Sequence, residues 1–241
     1  MPDFVVNNLP RLLEGAVLTI QLAAFSCIIG FVLAVPIALA RLSKRRVLYI
    51  ASTGYVFFFR GTPLLAQIFL IYYGSGQFRD ALDSIGLWVF FRDPWFCALL
   101  TLTLNTAAYT SEILRGAIQS IPTGELEAAL ALGLKPVHRL RLIVLPRAIG
   151  LAWPAYTNEV VYQIQATSLV SIITIMDITG VARVIGSRYF TFYEAFGLAA
   201  VMYLVIVYGF IFVARRVEAR LHAHLDPTLT KRRLTPGGLA K

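Results

Sequence analysis

The sequence predicts an all-α membrane protein, a polytopic helix bundle with five transmembrane spans. Three observations carry that reading. Hydrophobic residues make up 58% of the 241, and mean hydropathy is +0.71; soluble domains are roughly 45–50% apolar. The apolar residues come in blocks, each long enough for a helix across ~30 Å of hydrocarbon. The charged residues, only 15% of the chain, cluster between those blocks.

The first span covers about 12–40 and is uncharged from Ala16 onward. Its leader, Met-Pro-Asp-Phe, lacks the basic start of a cleaved signal, so the block reads as a retained span. The second lies within 47–73 and is interrupted by Arg60-Gly61-Thr62-Pro63. The third covers about 95–114. The fourth covers about 143–173 and contains Pro146 and Pro154. The fifth covers about 195–214. A short helix at about 121–134 falls between the third and fourth. Residues 1–225 form the transmembrane domain, and 226–241, with Pro227, Pro236 and Gly237-Gly238, form a cytoplasmic tail.

Net charge is +9. The cations flank apolar blocks and form no separate patch, so nucleic acid is not implied. Arg41, Lys44, Arg45 and Arg46 follow the first span. Arg115, Lys135, Arg139, Arg141 and Arg147 lie between the third and fourth, and a further set follows the fifth. The opposite loops hold only Arg79 and Arg92, or Arg183 and Arg188. The positive-inside rule then puts the N-terminus outside and the C-terminus in the cytoplasm.

Several chemistries are excluded or disfavoured. No Gly-x-x-x-x-Gly-Lys-Ser/Thr loop occurs, so the chain is not itself an ATPase. The three histidines are His138, His222 and His224; with no nucleophile beside them they make no catalytic set, and the tail pair reads as solvated, not metal-binding. Cys27 and Cys97 sit in apolar segments and read as buried thiols, not as a disulfide. No catalytic, metal or cofactor site is expected.

The polar groups inside the spans are the candidate pathway. Thr101, Asn105, Tyr109 and Glu112 share one helical stripe. In the fourth span Asn158, Tyr162 and Gln165 share a face, with Glu159 and Gln163 adjoining. Gln67 follows Arg60 by two helical turns. An acid at bilayer depth costs ~2.5–3.5 kcal/mol on insertion scales, so it lines a path or has a partner. Glu159, Asn158, Tyr162, Gln163, Gln67 and Asn105 are therefore the candidate pathway residues. The competing reading makes Glu159 and Asn158 cross-links at a helix interface. Arg60 reads as a structural cation, and Glu112 as the partner of Arg115 at i, i+3. An acid without a cation on the fourth span favours a cationic solute.

The helix at 121–134 is amphipathic. Leu126, Ala129, Leu130 and Gly133 fall on one small apolar face. Ser120 or Thr123 is the expected cap, and Glu125 and Glu127 complement the positive end. A lipid-surface helix would carry bulky anchors and basic residues, and this one does not. Docking to a protein is the favoured reading, through Glu127, Ala128, Ala129 and Gly133.

Glu127-Ala128-Ala129 with Gly133 four residues on resembles the EAA loop of ABC-importer permeases. Phe59-Arg60-Gly61-Thr62-Pro63-Leu64, the run Leu102–Glu112, the run Pro154–Val160 and Thr167-Ser168-Leu169 are similar to the polar amino-acid branch of that family. The chain most resembles its M-type subunits for histidine, lysine-arginine-ornithine, arginine and octopine, over about residues 10–225. The resemblance implies a type I ABC-importer permease fold in a bacterial inner membrane. It implies an ABC ATPase dimer, which binds the ATP and magnesium, a second permease subunit and a periplasmic solute-binding protein. Two permeases of different sequence are expected. The implied cargo is a basic amino acid or an opine, with another polar amino acid such as glutamine as the alternative. Many relatives carry Lys where this chain has Gln165, which leaves the exact substrate open. A self-powered secondary transporter would need inverted repeats, and none is visible.

Overall fold

The computed structural model describes residues 2–225, with side chains described for residues 8–220. The tail at 226–241 lies outside the described residues, as do the side chains of His222 and His224. Among the described residues the chain is helical throughout, without strands. In chain order the helices are α1 (Pro2–Arg41), α2 (Arg46–Gly61), α3 (Leu64–Ser75), α4 (Arg79–Ser84), α5 (Trp88–Phe91), α6 (Pro94–Gln119), α7 (Thr123–Ala131), α8 (Pro136–Arg139), α9 (Leu145–Ala166), α10 (Ile178–Tyr189) and α11 (Phe192–Leu225).

The five expected spans correspond to α1, α2 with α3, α6, α9 with its flanks, and α11. By length and composition, α1 and α11 each suffice to cross a membrane alone. The second and fourth spans pass as bent pairs, broken by 103° between 61 and 64 and by 49° between 173 and 178. The first break follows from Pro63, which has no N–H to give and pushes Thr62 into extended backbone. At the second, α9 continues as a 3₁₀ segment, Thr167–Ile173, and ends on Thr174 at φ 72°. Asp177 then caps α10, accepting from the backbone N–H of Thr179 and Gly180.

Helix α6 is long enough to span at 26 residues, but it is not among the helices apolar enough to do so alone. Its Thr, Ser and Asn residues lower the hydropathy. Position explains the tolerance: Ala98, Thr101, Leu102, Asn105, Thr106, Ala107 and Ala108 are all buried against protein, not lipid. Small residues bring helices close around it. Ala34 and Ala38 of α1 pack with Leu114 and Ala117, and a Cβ on Gly30 would stand 2.5 Å from Thr106 Cγ2. Such close packing is the main attraction between helices in lipid.

Residues 178–189 were expected in an outer loop; they form α10 instead. Ile178, Ala182 and Ile185 bury against Leu12 and Ala16 of α1 and Ala195 and Ala199 of α11. The sequence hid this helix because Arg183 and Arg188 break its apolar run. Arg183 is accommodated by donating to the Ser171 carbonyl at 3.0 Å.

Candidate functional site: a polar strip between two cavities

Helix α9 divides its polar residues between two faces. On the inner face, Trp153 Nε1 donates to the Ala214 carbonyl, Tyr156 Oη to the Cys27 carbonyl, and Gln163 Nε2 to Ser26 Oγ and the Leu102 carbonyl. Glu159 is buried there too and accepts from Thr106 Oγ1 at 2.9 Å. On the outer face, Asn158, Tyr162 and Gln165 are exposed. Exposed amides midway along a span do not suit lipid, so this strip faces a path or another protein.

The predicted pathway residues therefore separate. Asn158 and Tyr162 line the strip, and Glu159 lies just behind it. Gln67, Asn105 and Gln163 point inward. Asn105 Nδ2 donates to Gln67 Oε1 and the Phe59 carbonyl. Gln67 Nε2 donates to the Phe59 and Thr62 carbonyls and to Thr62 Oγ1. These amides satisfy the backbone that Pro63 frees at the α2–α3 break, a need that bilayer-depth backbone imposes. They staple helices, and the amide oxygens of Asn105 and Gln163 are left buried without a partner.

Tyr109 continues the strip, its ring centroid 6.3 Å from that of Tyr162. Beyond it stands a charge cluster at the end of α1, α2 and α6. Glu112 pairs with Arg115 as expected, through Nε at 3.0 Å and Nη2 at 3.1 Å. It also pairs with Arg41 and meets Arg60 at 3.6 Å. Arg60 lies over the Tyr109 ring at 5.1 Å. Arg41, Arg60 and Glu112, together with Tyr109, line an open cavity of about 390 Å³. A second cavity, of about 330 Å³, lies at the other end of the strip, lined by Gln165, Ser168, Thr179 and Tyr203. Tyr203 Oη donates to the fully buried Asp177 at 3.0 Å. Asp177 and Tyr203 were not anticipated. The Asp followed by an apolar helical run was the available signal, an N-cap pattern.

Helix α7 occupies the middle of the predicted 121–134 segment. Pro122 stands at its N-cap and no side chain caps it, so the Ser120 or Thr123 cap is not formed. Ser120 Oγ donates to the Ala117 carbonyl instead. Gly133 ends the turn at φ 70° with nothing near its missing Cβ, so its role is conformational. Ala129, read as a docking residue, is only 2% exposed. It faces its own chain, as does Leu126, which packs against the α1–α6–α9 core. Glu127, Ala128, Leu130 and Leu132 are exposed. The outward surface thus keeps Leu130 and Gly133 of the face the periodicity picked out, while Leu126 and Ala129 turn inward. Glu125 ties α7 to α9 through Arg147 at 2.9 Å.

Among the described residues, no cluster of histidine, cysteine or acid could hold a metal. Both cysteines are free and buried.

Residues 27–223 match the family described as binding-protein-dependent transport system inner membrane component. The nopaline transport system permease protein NocM of Agrobacterium fabrum is 49% identical over 230 residues, covering 95% of this chain and 94% of that one. The octopine permease OccM of Rhizobium radiobacter is 44% identical, covering 97% and 94%. The histidine/lysine/arginine/ornithine permease HisM of Escherichia coli K12 is 40% identical, covering 90% and 91%. Among solved structures, an amino acid ABC transporter crystallised with histidines superposes with a TM-score of 0.77 at 29% identity, over 90% of this chain and 96% of that one. The methionine transporter MetNI, at 0.71 and 22% identity over 88% and 97%, shares the fold.

Proposed function

The chain belongs to the family of binding-protein-dependent transport system inner membrane components, and from that premise we propose that it forms half of the membrane path of an ATP-driven importer for a cationic amino acid or an opine. The observation that carries this reading is Glu159, a buried carboxylate one residue behind an exposed polar strip. A cation passing Asn158 and Tyr162 would meet that carboxylate in a low dielectric, where attraction is strong. The relatives' permeases serve nopaline, octopine and histidine/lysine/arginine/ornithine systems, which supports a basic cargo over glutamine.

The exposed side of α7, with Glu127, Ala128 and Leu130, is the docking surface for an ABC ATPase dimer that binds ATP and magnesium. A periplasmic binding protein delivers the solute to the end carrying Gln165 and Tyr203. A second, homologous permease of different sequence covers the strip. The N-terminus is periplasmic and the C-terminus cytoplasmic. Membership of a binding-protein-dependent family weighs against a self-powered secondary transporter.

The test is uptake by proteoliposomes holding the assembled importer, with a panel of labelled amino acids and opines. Arginine, lysine, ornithine, histidine, octopine or nopaline should accumulate only with ATP and binding protein. Accumulation of glutamine alone would overturn the cationic assignment.

A further inference from the structure

The charge cluster at the cytoplasm-facing end of α1, α2 and α6 holds more cation than its own acid can use. Three guanidiniums, from Arg41, Arg60 and Arg115, surround the single carboxylate of Glu112, leaving two positive charges. The satisfaction is uneven. Glu112 Oε1 is taken by Arg41 and Arg115, and Oε2 by Arg115. Arg60 is left at 3.6 Å, beyond hydrogen-bonding range, and is 42% exposed. Arg41 Nε is buried without a hydrogen-bond partner. Planar guanidiniums with spare donors suit a phosphate or carboxylate.

The walls of the cavity narrow the choice. Beside Arg41 and Arg60 it is lined by Thr53, Val56, Phe57, Gly61 and Tyr109, and Phe57 is 80% exposed. Along α2 the side chains of Val47, Leu48, Ile50 and Phe58 are exposed as well. An anion seated on Arg60 would therefore have an apolar rim beside it. Basic pockets between helices at the cytoplasmic leaflet suit acidic lipid headgroups.

We propose that Arg60 and Arg41, with Phe57 at the rim, form a binding site for the phosphate of an anionic phospholipid of the inner leaflet, Arg115 adding its charge from behind. The ligand is a phosphodiester with acyl chains, held by the guanidiniums at one end and by the α2 surface at the other. Arg60 is the contact residue; Glu112 keeps Arg41 and Arg115 in place. The site rests on the cytoplasmic orientation proposed above, and it borders the strip through Tyr109, which lines the same cavity.

The assembled importer, purified in mixed micelles of phosphatidylcholine with one-tenth phosphatidylglycerol, is passed through gel filtration, and the retained lipid is quantified by mass spectrometry. The wild type should retain phosphatidylglycerol enriched roughly thirtyfold over the bulk ratio, the order expected for two uncompensated cations at a headgroup. Arg60→Gln should cut the enrichment about fivefold, for the loss of one of two cations, Arg60→Lys should keep most of it, and Lys44→Gln, outside the cavity, should leave it unchanged. On the wild type alone, raising salt from about 0.05 to about 0.5 M should remove most of it. Equal enrichment in the wild type and Arg60→Gln overturns the site. So does a wild type without enrichment at low salt, which decides the matter even if Arg60→Gln fails to assemble. Full displacement by millimolar inorganic phosphate would assign the site to free phosphate, and loss of arginine uptake in Arg60→Gln with lipid unchanged would assign it to the solute. Both outcomes count against the lipid.

Discussion

At the scale of single residues, opposite jobs are proposed for two buried polar groups, and substitution tests them. Glu159→Gln keeps size and hydrogen bonding to Thr106 but removes the charge. Uptake of a basic amino acid should fall by at least about tenfold while the complex still assembles. Loss of assembled complex with normal uptake per surviving complex would mean that the acid only joins helices. Asn105→Leu should do the reverse. It leaves Gln67 Oε1 buried without its donor and takes one donor from the Phe59 carbonyl. A cost of about 1–3 kcal/mol follows, read as a lowered melting temperature of the purified complex. The sequence announced both residues, because an acid and an amide inside apolar blocks stand out. It could not say that Asn105 and Gln67 meet each other, since they lie 38 residues apart. Nor could it foresee Asp177 joined to Tyr203, a partnership created by folding α10 onto α11.

At the scale of elements, α7 and the α1–α6 contact carry the sharpest tests. Periodicity found an amphipathic helix at 121–134 but assigned its apolar face to a partner. Two of its four residues, Leu126 and Ala129, close on the chain's own core, because a nine-residue helix has little stability unless it packs at home. Ala128→Arg should therefore release the ATPase in co-purification while the permease stays folded. Ala129→Arg should destabilise the permease itself, by about 3 kcal/mol or more for a charge forced inside. If Ala128→Arg retained a fully coupled ATPase, the docking surface would lie elsewhere. The α1–α6 contact is tested by Gly30→Val. Its new side chain collides with Thr106, the residue that holds Glu159. Impaired transport in that variant would show that close helix packing positions the carboxylate from behind.

At the scale of the whole molecule, the apolar blocks and flanking cations made the bundle legible. The two bends were only half legible: Pro63 marked the first, while the second depends on Thr174 in a left-handed conformation that no residue type advertised. Orientation is open to a direct check. Cysteines placed near Asp83 and Ser187 should react with an impermeant reagent from outside, and those at Lys44 and Lys135 should not. Labelling at Lys135 would invert the whole arrangement. The stapled break at Pro63 also bears on the order of assembly. Ribosomes deliver the chain from its N-terminus, so the sharp corner leaves the ribosome before Asn105 does. In that interval only Gln67, of the two stapling amides, is present to satisfy the Phe59 carbonyl. The corner is thus provisional until α6 arrives, and a nascent chain halted before residue 105 should be more readily captured by membrane quality control than one halted after 119.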